Sequence, residues 1–335
     1  MSTAPGVDWL RAFTATDSIG AGVLSNTLIT YANDKLLAVN AEDGQLKWSQ
    51  PLTGLYQTLI DVNGTALYAS TLSGDVQSLD SSGTLNWQMD FDEFDRLNLM
   101  PLPGGGVIVQ IDQQLIGVSA AADRLWQIDQ IAAPFDWLRQ GDRLLFSTSG
   151  DRSATYSIDR SGRVIKLAEI GGRLAFSHDR LFIYTSNGVY RLSATPPLVD
   201  LVLPLDRDVF NTGRIITTED GTLLITHHGL TDRRLIALNS DGSLRWDRSV
   251  LDLGSDLPYL MTVDQQVYAI TLDGDVLRID PQTGAARRLF NGGPLLPLSG
   301  KPWGVAANGR LIFDFRGGTL VGFDPRAVDQ IDLGE

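Results

Sequence analysis

The chain has no cysteine. Disulfide bonds, thiolate nucleophiles and cysteine-based zinc sites are therefore excluded. Histidine is scarce, with only His178, His227 and His228, and so is lysine, with four residues. Of 40 acidic residues only Glu42, Glu93, Glu169, Glu219 and Glu335 are glutamate, so aspartate dominates. Glutamate favours helices, while aspartate favours turns and caps. No stretch approaches the roughly 20 apolar residues of a membrane helix. The opening residues carry no basic-then-apolar export signal. A start so near the first strand is expected of a mature or trimmed chain, so the missing signal says little about compartment. Basic footprints are lacking too. A net charge of −13 argues against nucleic acid, because phosphate contacts need clustered cations. The same charge suits attraction to a cationic protein surface, although solubility alone would also explain it.

What the chain does have is repetition. Hydrophobic residues make up 43% and charged residues 20% of its 335 positions, an ordinary globular balance. With 34 glycines it turns often. Trp9, Trp48, Trp87 and Trp126 follow one another at a constant step of 39 residues. A fixed period near 40 marks a stacked or radial architecture. Each tryptophan segment except the first follows a lead-in of two apolar strands around a tight polar turn, such as TLITYANDKLLAVN from residue 27 and VYAITLDGDVLRID from 267. Eight such hairpins can be aligned, and a short strand precedes each, as in TLIDV (58–62), NLMPL (98–102) and YLMTV (259–263). Four strands per repeat, eight times over, predict an all-β, eight-bladed β-propeller of four-stranded antiparallel blades, with 1–335 as a single domain. The fifth and eighth copies are the least regular, and Pro196-Pro197 interrupts the fifth. The eighth copy ends without a tryptophan strand, which the chain supplies instead at its start as DWLRAF (8–13). An incomplete last blade would leave a strand edge and an inter-blade face open to water. Residues 8–13 are therefore expected to pair with 318–323 and complete the eighth blade, with Trp9 in the position of Trp48, Trp87 and Trp126.

The run from Ala38 to Trp48, AVNAEDGQLKW, resembles the tryptophan-docking repeat of PQQ-type propellers, A-x-D-x-x-T-G-x-x-x-W, with Asn40 and Asp43 as departures. Asp280–Gly284 keeps that motif's turn but has Arg288 where the tryptophan belongs, and Trp246 closes a shorter version. Physically, the glycine supplies a positive φ and the indole a flat face for the neighbouring blade, so Trp9, Trp48, Trp87, Trp126 and Trp246 are read as structural. Quinoprotein dehydrogenases of this kind are much longer, with a vicinal cysteine pair and an acidic calcium set that are not matched here; no PQQ or other cofactor is expected. The chain is more similar to the BamB-type outer-membrane assembly factors, eight-bladed non-catalytic scaffolds of comparable length. The lipid-bearing cysteine of that family is absent. This resemblance implies a protein-interaction scaffold outside the cytoplasm, monomeric, with protein partners and no enzymatic activity. A propeller that binds PQQ or another small ligand, an enzyme using the central channel, and a domain of a larger surface or signalling protein stay open as alternatives.

The search for chemistry yields little. His227 and His228 are adjacent on a strand and point to opposite faces, so they do not chelate one metal; both are expected to be ordinary exposed side chains. No nucleophile elbow and no phosphate-binding glycine loop before a helix occur. What remains is surface. The turns between second and third strands and the loops between blades carry Asp75, Asp151, Asp232, Asp273, Asp275, Asp206, Asp208, Asp252 and Asp256, interleaved with Tyr56, Phe135, Phe210 and Tyr259. The sharpest cluster is Asp90, Phe91, Asp92, Glu93, Phe94 and Asp95, read either as a solvated loop with one phenylalanine tucked in or as an acidic–aromatic contact patch for a partner.

Overall fold

Each copy's most apolar segment becomes a strand buried on both faces: every residue of Thr27–Ala32 and of Val107–Ile111 is buried. A strand so placed must be covered by sheet on either side, and the ring provides this. The computed structural model describes residues 7–12, 22–24, 26–61, 63–91, 97–194, 197–206, 213–229, 233–250, 259–271, 275–291, 303–307, 309–315 and 319–329. Its strands form eight four-stranded antiparallel sheets arranged as the blades of a β-propeller. Blade 1 begins at Val23, blade 2 at Leu55, blade 3 at Asn98 and blade 4 at Pro134. Blade 5 begins at Arg173, blade 6 at Arg214, blade 7 at Tyr259 and blade 8 at Trp303. In blades 1 to 7 the strands follow chain order from the channel outward, and first strands touch around the axis from blade 4 through blade 8 to blade 1 and between blades 2 and 3.

The core is divided among the blade interfaces. Leu28 and Val39 of blade 1 pack with Ile312 and Leu320 of blade 8, and Leu24, Ile29 and Leu36 pack with Leu67 and Leu79 of blade 2. The same pattern continues around the ring to blade 7, where Tyr268 and Val276 meet Leu311 and Phe323. In blade 2 the first strand is Leu55–Ile60, earlier than the 58–62 read from sequence. Asp61 ends it, since its carboxylate accepts the Thr65 and Ala66 N–H groups at 2.7 and 3.2 Å and so starts the turn.

Closure joins the two ends of the chain. Val7–Ala12 is the outermost strand of blade 8, antiparallel to Thr319–Phe323, with Leu10 opposite Val321. Arg310 Nε donates to the Asp8 carboxylate at 2.7 Å and ties the added strand to the second strand of its blade. The side chain of Trp9 lies outside the described residues.

The other repeat tryptophans dock one blade onward. Trp48 Nε1 donates to Ser81 O, Trp87 Nε1 to Ala120 O and Trp126 Nε1 to Arg160 O, each at 3.0 Å, and Trp246 Nε1 to Pro281 O at 2.9 Å. Each acceptor lies in the turn before the next blade's outermost strand. Gly83 in one such turn has φ +83°, and a Cβ there would lie 2.6 Å from the Trp48 ring. Both the backbone and the indole therefore require glycine. Beneath Trp87 the corresponding residue is Ala122, which holds φ +71° without being glycine. At the tryptophan position of blade 7, Arg288 pairs instead with Asp275 at 3.1 Å.

Candidate interaction surface

Every first strand has one edge that no neighbouring strand covers. Unpaired N–H and C=O groups there need other partners. At three blade junctions the preceding blade supplies them from side chains. Gln57 brackets Leu99, accepting its N–H at 2.8 Å and donating to its C=O at 3.0 Å. Asp136 accepts the Leu174 N–H at 2.7 Å, and Arg173 Nε donates to Gly213 O at 3.1 Å.

The residues that open these strands form a belt around one mouth of the channel. In ring order they are Tyr56, Asn98, Phe135, Arg173, Arg214 and Tyr259. The Tyr56 hydroxyl donates to Asn98 Oδ1 at 3.3 Å. The Arg173 guanidinium lies 4.7 Å from the Phe135 ring centroid, and that of Arg214 lies 4.1 Å from the Tyr259 centroid. Both are cation–π stacks, which hold a guanidinium plane flat against a ring. Burial pushes the Asp136 carboxyl above the usual carboxylate range, against the opposing pull of the Leu174 N–H and of Arg173 and Arg214. Between blades 2 and 4 the mouth opens into a concavity of about 310 Å³ lined by Tyr56, Gln57, Asn98, Leu99, Met100, Pro134, Phe135 and Trp137. Trp137 is 38% exposed there.

A polar trio links blades 5 and 6. His227, in the second strand of blade 6, is fully buried. Its Nδ1 is 3.0 Å from the Tyr184 hydroxyl and its Nε2 3.0 Å from Asp206 Oδ1. The expectation of an exposed His227 is therefore corrected: the inward face of this strand meets blade 5 and the loop that leaves it, and the ring fills that space. His228 is half-buried and accepts a hydrogen bond from Arg233 Nε at 3.1 Å.

The acidic loop residues scatter. Asp90 is exposed at the end of its strand, but Phe91 is buried in the core between blades 2 and 3, beneath the Arg124 guanidinium at 5.0 Å. Asp92, Glu93, Phe94 and Asp95 lie outside the described residues, as do Asp208, Phe210, Asp232, Asp252, Asp256 and Asp273. Asp275 is buried rather than displayed, because Arg288 neutralises it. Among the described residues, Tyr56, Phe135 and Tyr259 are the loop-face aromatics that belong to the belt. Arg173, Arg214, Asn98 and Trp137 escaped the sequence reading, which followed acidic loops. Asn98, Arg173 and Arg214 each open the first strand of their copy, and Trp137 follows two residues after Phe135 in the fourth.

Comparison with known proteins supports the architecture. Among solved structures, BamB from Moraxella catarrhalis superposes with a TM-score of 0.66 at 15% identity, over 94% of this chain and 100% of that one. Sqt1 from Saccharomyces cerevisiae gives 0.69 at 13% identity, over 96% and 99%. The WD40 domain of SCAP from fission yeast gives 0.67 at 10% identity, over 96% and 99%. At such identities the likeness is one of fold. No curated protein sequence matches. The family model described as outer membrane protein assembly factor BamB matches residues 7–196 and 193–332, and the chain accordingly belongs to that family.

Proposed function

We propose that this propeller is a non-catalytic scaffold that acts outside the cytoplasm, holding protein partners during outer-membrane protein assembly, with 1–335 acting as one domain. The match to the BamB family along nearly the whole chain carries this reading. The one histidine that, among the described residues, lies beside both a carboxylate and a hydroxyl supports it. His227 has no exposed surface, and both of its ring nitrogens are already engaged, one by the Tyr184 hydroxyl and one by the Asp206 carboxylate. Such a trio fixes the junction of blades 5 and 6 rather than attacking a ligand. The loop containing Asp90 is the proposed partner contact on the sequence side, with Asp92, Glu93, Phe94 and Asp95 as its acidic and aromatic members and Phe91 as its buried anchor.

The test is in vivo cross-linking and co-purification of the full-length protein from its native cells, with outer-membrane β-barrel levels measured after its removal. Recovery of a β-barrel assembly component together with reduced barrel levels is the expected result. Unchanged barrel levels with no envelope partner recovered would refute the reading.

A further inference from the structure

We propose that the channel mouth across blades 2 to 6 binds a partner peptide carrying a carboxylate side chain next to an aromatic one. This deepens the scaffold reading, on which it rests, by naming what the scaffold grips.

The cationic half is Arg214 with Arg173. Arg214 is exposed, its guanidinium stacked on Tyr259, and among the described residues its guanidinium has no hydrogen-bonded partner. Stacking holds the plane and leaves the N–H edge directed away from the ring, the arrangement that meets a carboxylate with two parallel hydrogen bonds. Arg173 adds a second positive charge, held flat on Phe135 and hydrogen-bonded through Nε to the Gly213 carbonyl. Asp136, the carboxylate acting on both arginines, is turned onto the Leu174 N–H and is itself disfavoured as an anion by burial. The belt therefore keeps positive character.

The apolar half adjoins it through Phe135, whose ring carries Arg173 and also lines the concavity with Trp137, Leu99 and Met100. A space of about 310 Å³ suits a single aromatic side chain. Charge then limits the occupant. A chain of net charge −13 repels polyanions, so a small cationic spot in that field selects a ligand with one or two carboxylates. Strand addition is disfavoured at this mouth, because Gln57 and Asp136 already occupy backbone groups on the inner edges. Recognition proceeds through side chains.

Fluorescence anisotropy with a fluorescein-labelled, end-capped hexapeptide containing adjacent glutamate and phenylalanine tests this on the full chain. Saturable binding is expected. It should weaken about tenfold when glutamine replaces the peptide's glutamate, and about as much in Arg214→Gln, as expected for loss of a charge-assisted fork. Trp137→Ser should weaken it as well, while Arg163→Gln on the outer rim leaves it unchanged. Both altered channel residues are solvent-exposed, and unchanged melting temperatures would verify folding. No binding, or equal affinity for the two peptides or for Arg214→Gln, overturns the proposal. If that happens while the protein still co-purifies with an assembly component, the scaffold reading survives and this site does not. Intact peptide binding without any envelope partner would instead sink the scaffold reading alone.

Discussion

Two glycines with nearly the same left-handed backbone separate backbone strain from packing. Gly64 has φ +64° and open space where a Cβ would go, whereas Gly83, at φ +83°, lies under the Trp48 indole. Gly64→Ala should cost about 1 kcal/mol from conformation alone. Gly83→Ala must also displace the indole and should cost about 2–3 kcal/mol. Urea unfolding midpoints compare the two, and equal losses would show that the docked indole yields without penalty. His227 offers a second residue-level test. His227→Phe keeps the ring's shape but removes the nitrogen shared with Tyr184 and the one shared with Asp206. Buried polar groups deprived of a partner imply a loss of about 2–3 kcal/mol, against less than about 1 kcal/mol for His228→Phe on the half-buried face. Similar losses at the two positions would mean that the trio around His227 contributes little.

The turn before the outermost strand recurs as an element with its own chemistry. Asp80 Oδ1 accepts the Ser82 N–H and hydroxyl and the Thr84 N–H at 2.8, 2.7 and 2.9 Å. Asp159 repeats this with Ser161 and Arg163, and Asp280 binds Gln282 and Thr283. These bonds, above all those from the Ser82, Ser161 and Thr283 hydroxyls, hold the three carboxyls below the usual range. A folded value below the unfolded one adds stability that is present above about pH 4 and lost as pH falls through the lower folded values. Replacing Ser82, Ser161 and Thr283 with alanine should therefore lower the melting temperature at pH 7. Near pH 2 the variant and parent should converge. Thermal scans at both values decide it, and a gap that stays constant with pH would assign the hydroxyls a role independent of the carboxylates.

At the scale of the whole molecule, closure is the decisive feature. The strand Val7–Ala12 covers the edge of Thr319–Phe323, more than 300 residues away in the chain, and blade 8 completes the interfaces with both blade 7 and blade 1. Removing residues 1–12 deletes a ladder of five paired positions and exposes a strand edge. At about 1 kcal/mol net per lost hydrogen bond, the cost should reach about 3–6 kcal/mol, with association through the bare edge. Calorimetry and size-exclusion chromatography measure both effects. A truncated protein that melts like its parent and stays monomeric would show that the ring holds without its latch.

The number of blades, their four strands and the return of the N-terminal strand to blade 8 were all legible in the sequence. Each rests on local or periodic signals: alternating apolar strands, glycine and aspartate turns, a tryptophan step of 39 residues, and a last copy that lacks its final strand. Such signals survive because every blade must solve the same packing problem against identical neighbours. Tyr56, Phe135 and Tyr259 stood out as loop aromatics, but their grouping with Asn98, Arg173 and Arg214 in one belt was not legible, since the six come from six different copies and no two lie close in the chain. The burial of His227 was hidden for the same reason. Strand alternation decides that His227 and His228 face opposite ways, but the Tyr184 and Asp206 that enclose one of them arrive from another blade and its loop. Periodicity within a copy thus determined the architecture, whereas the site arose only when the ring placed the openings of separate strands side by side. Contacts between blades depend on the curvature and closure of the whole ring, which no single repeat encodes.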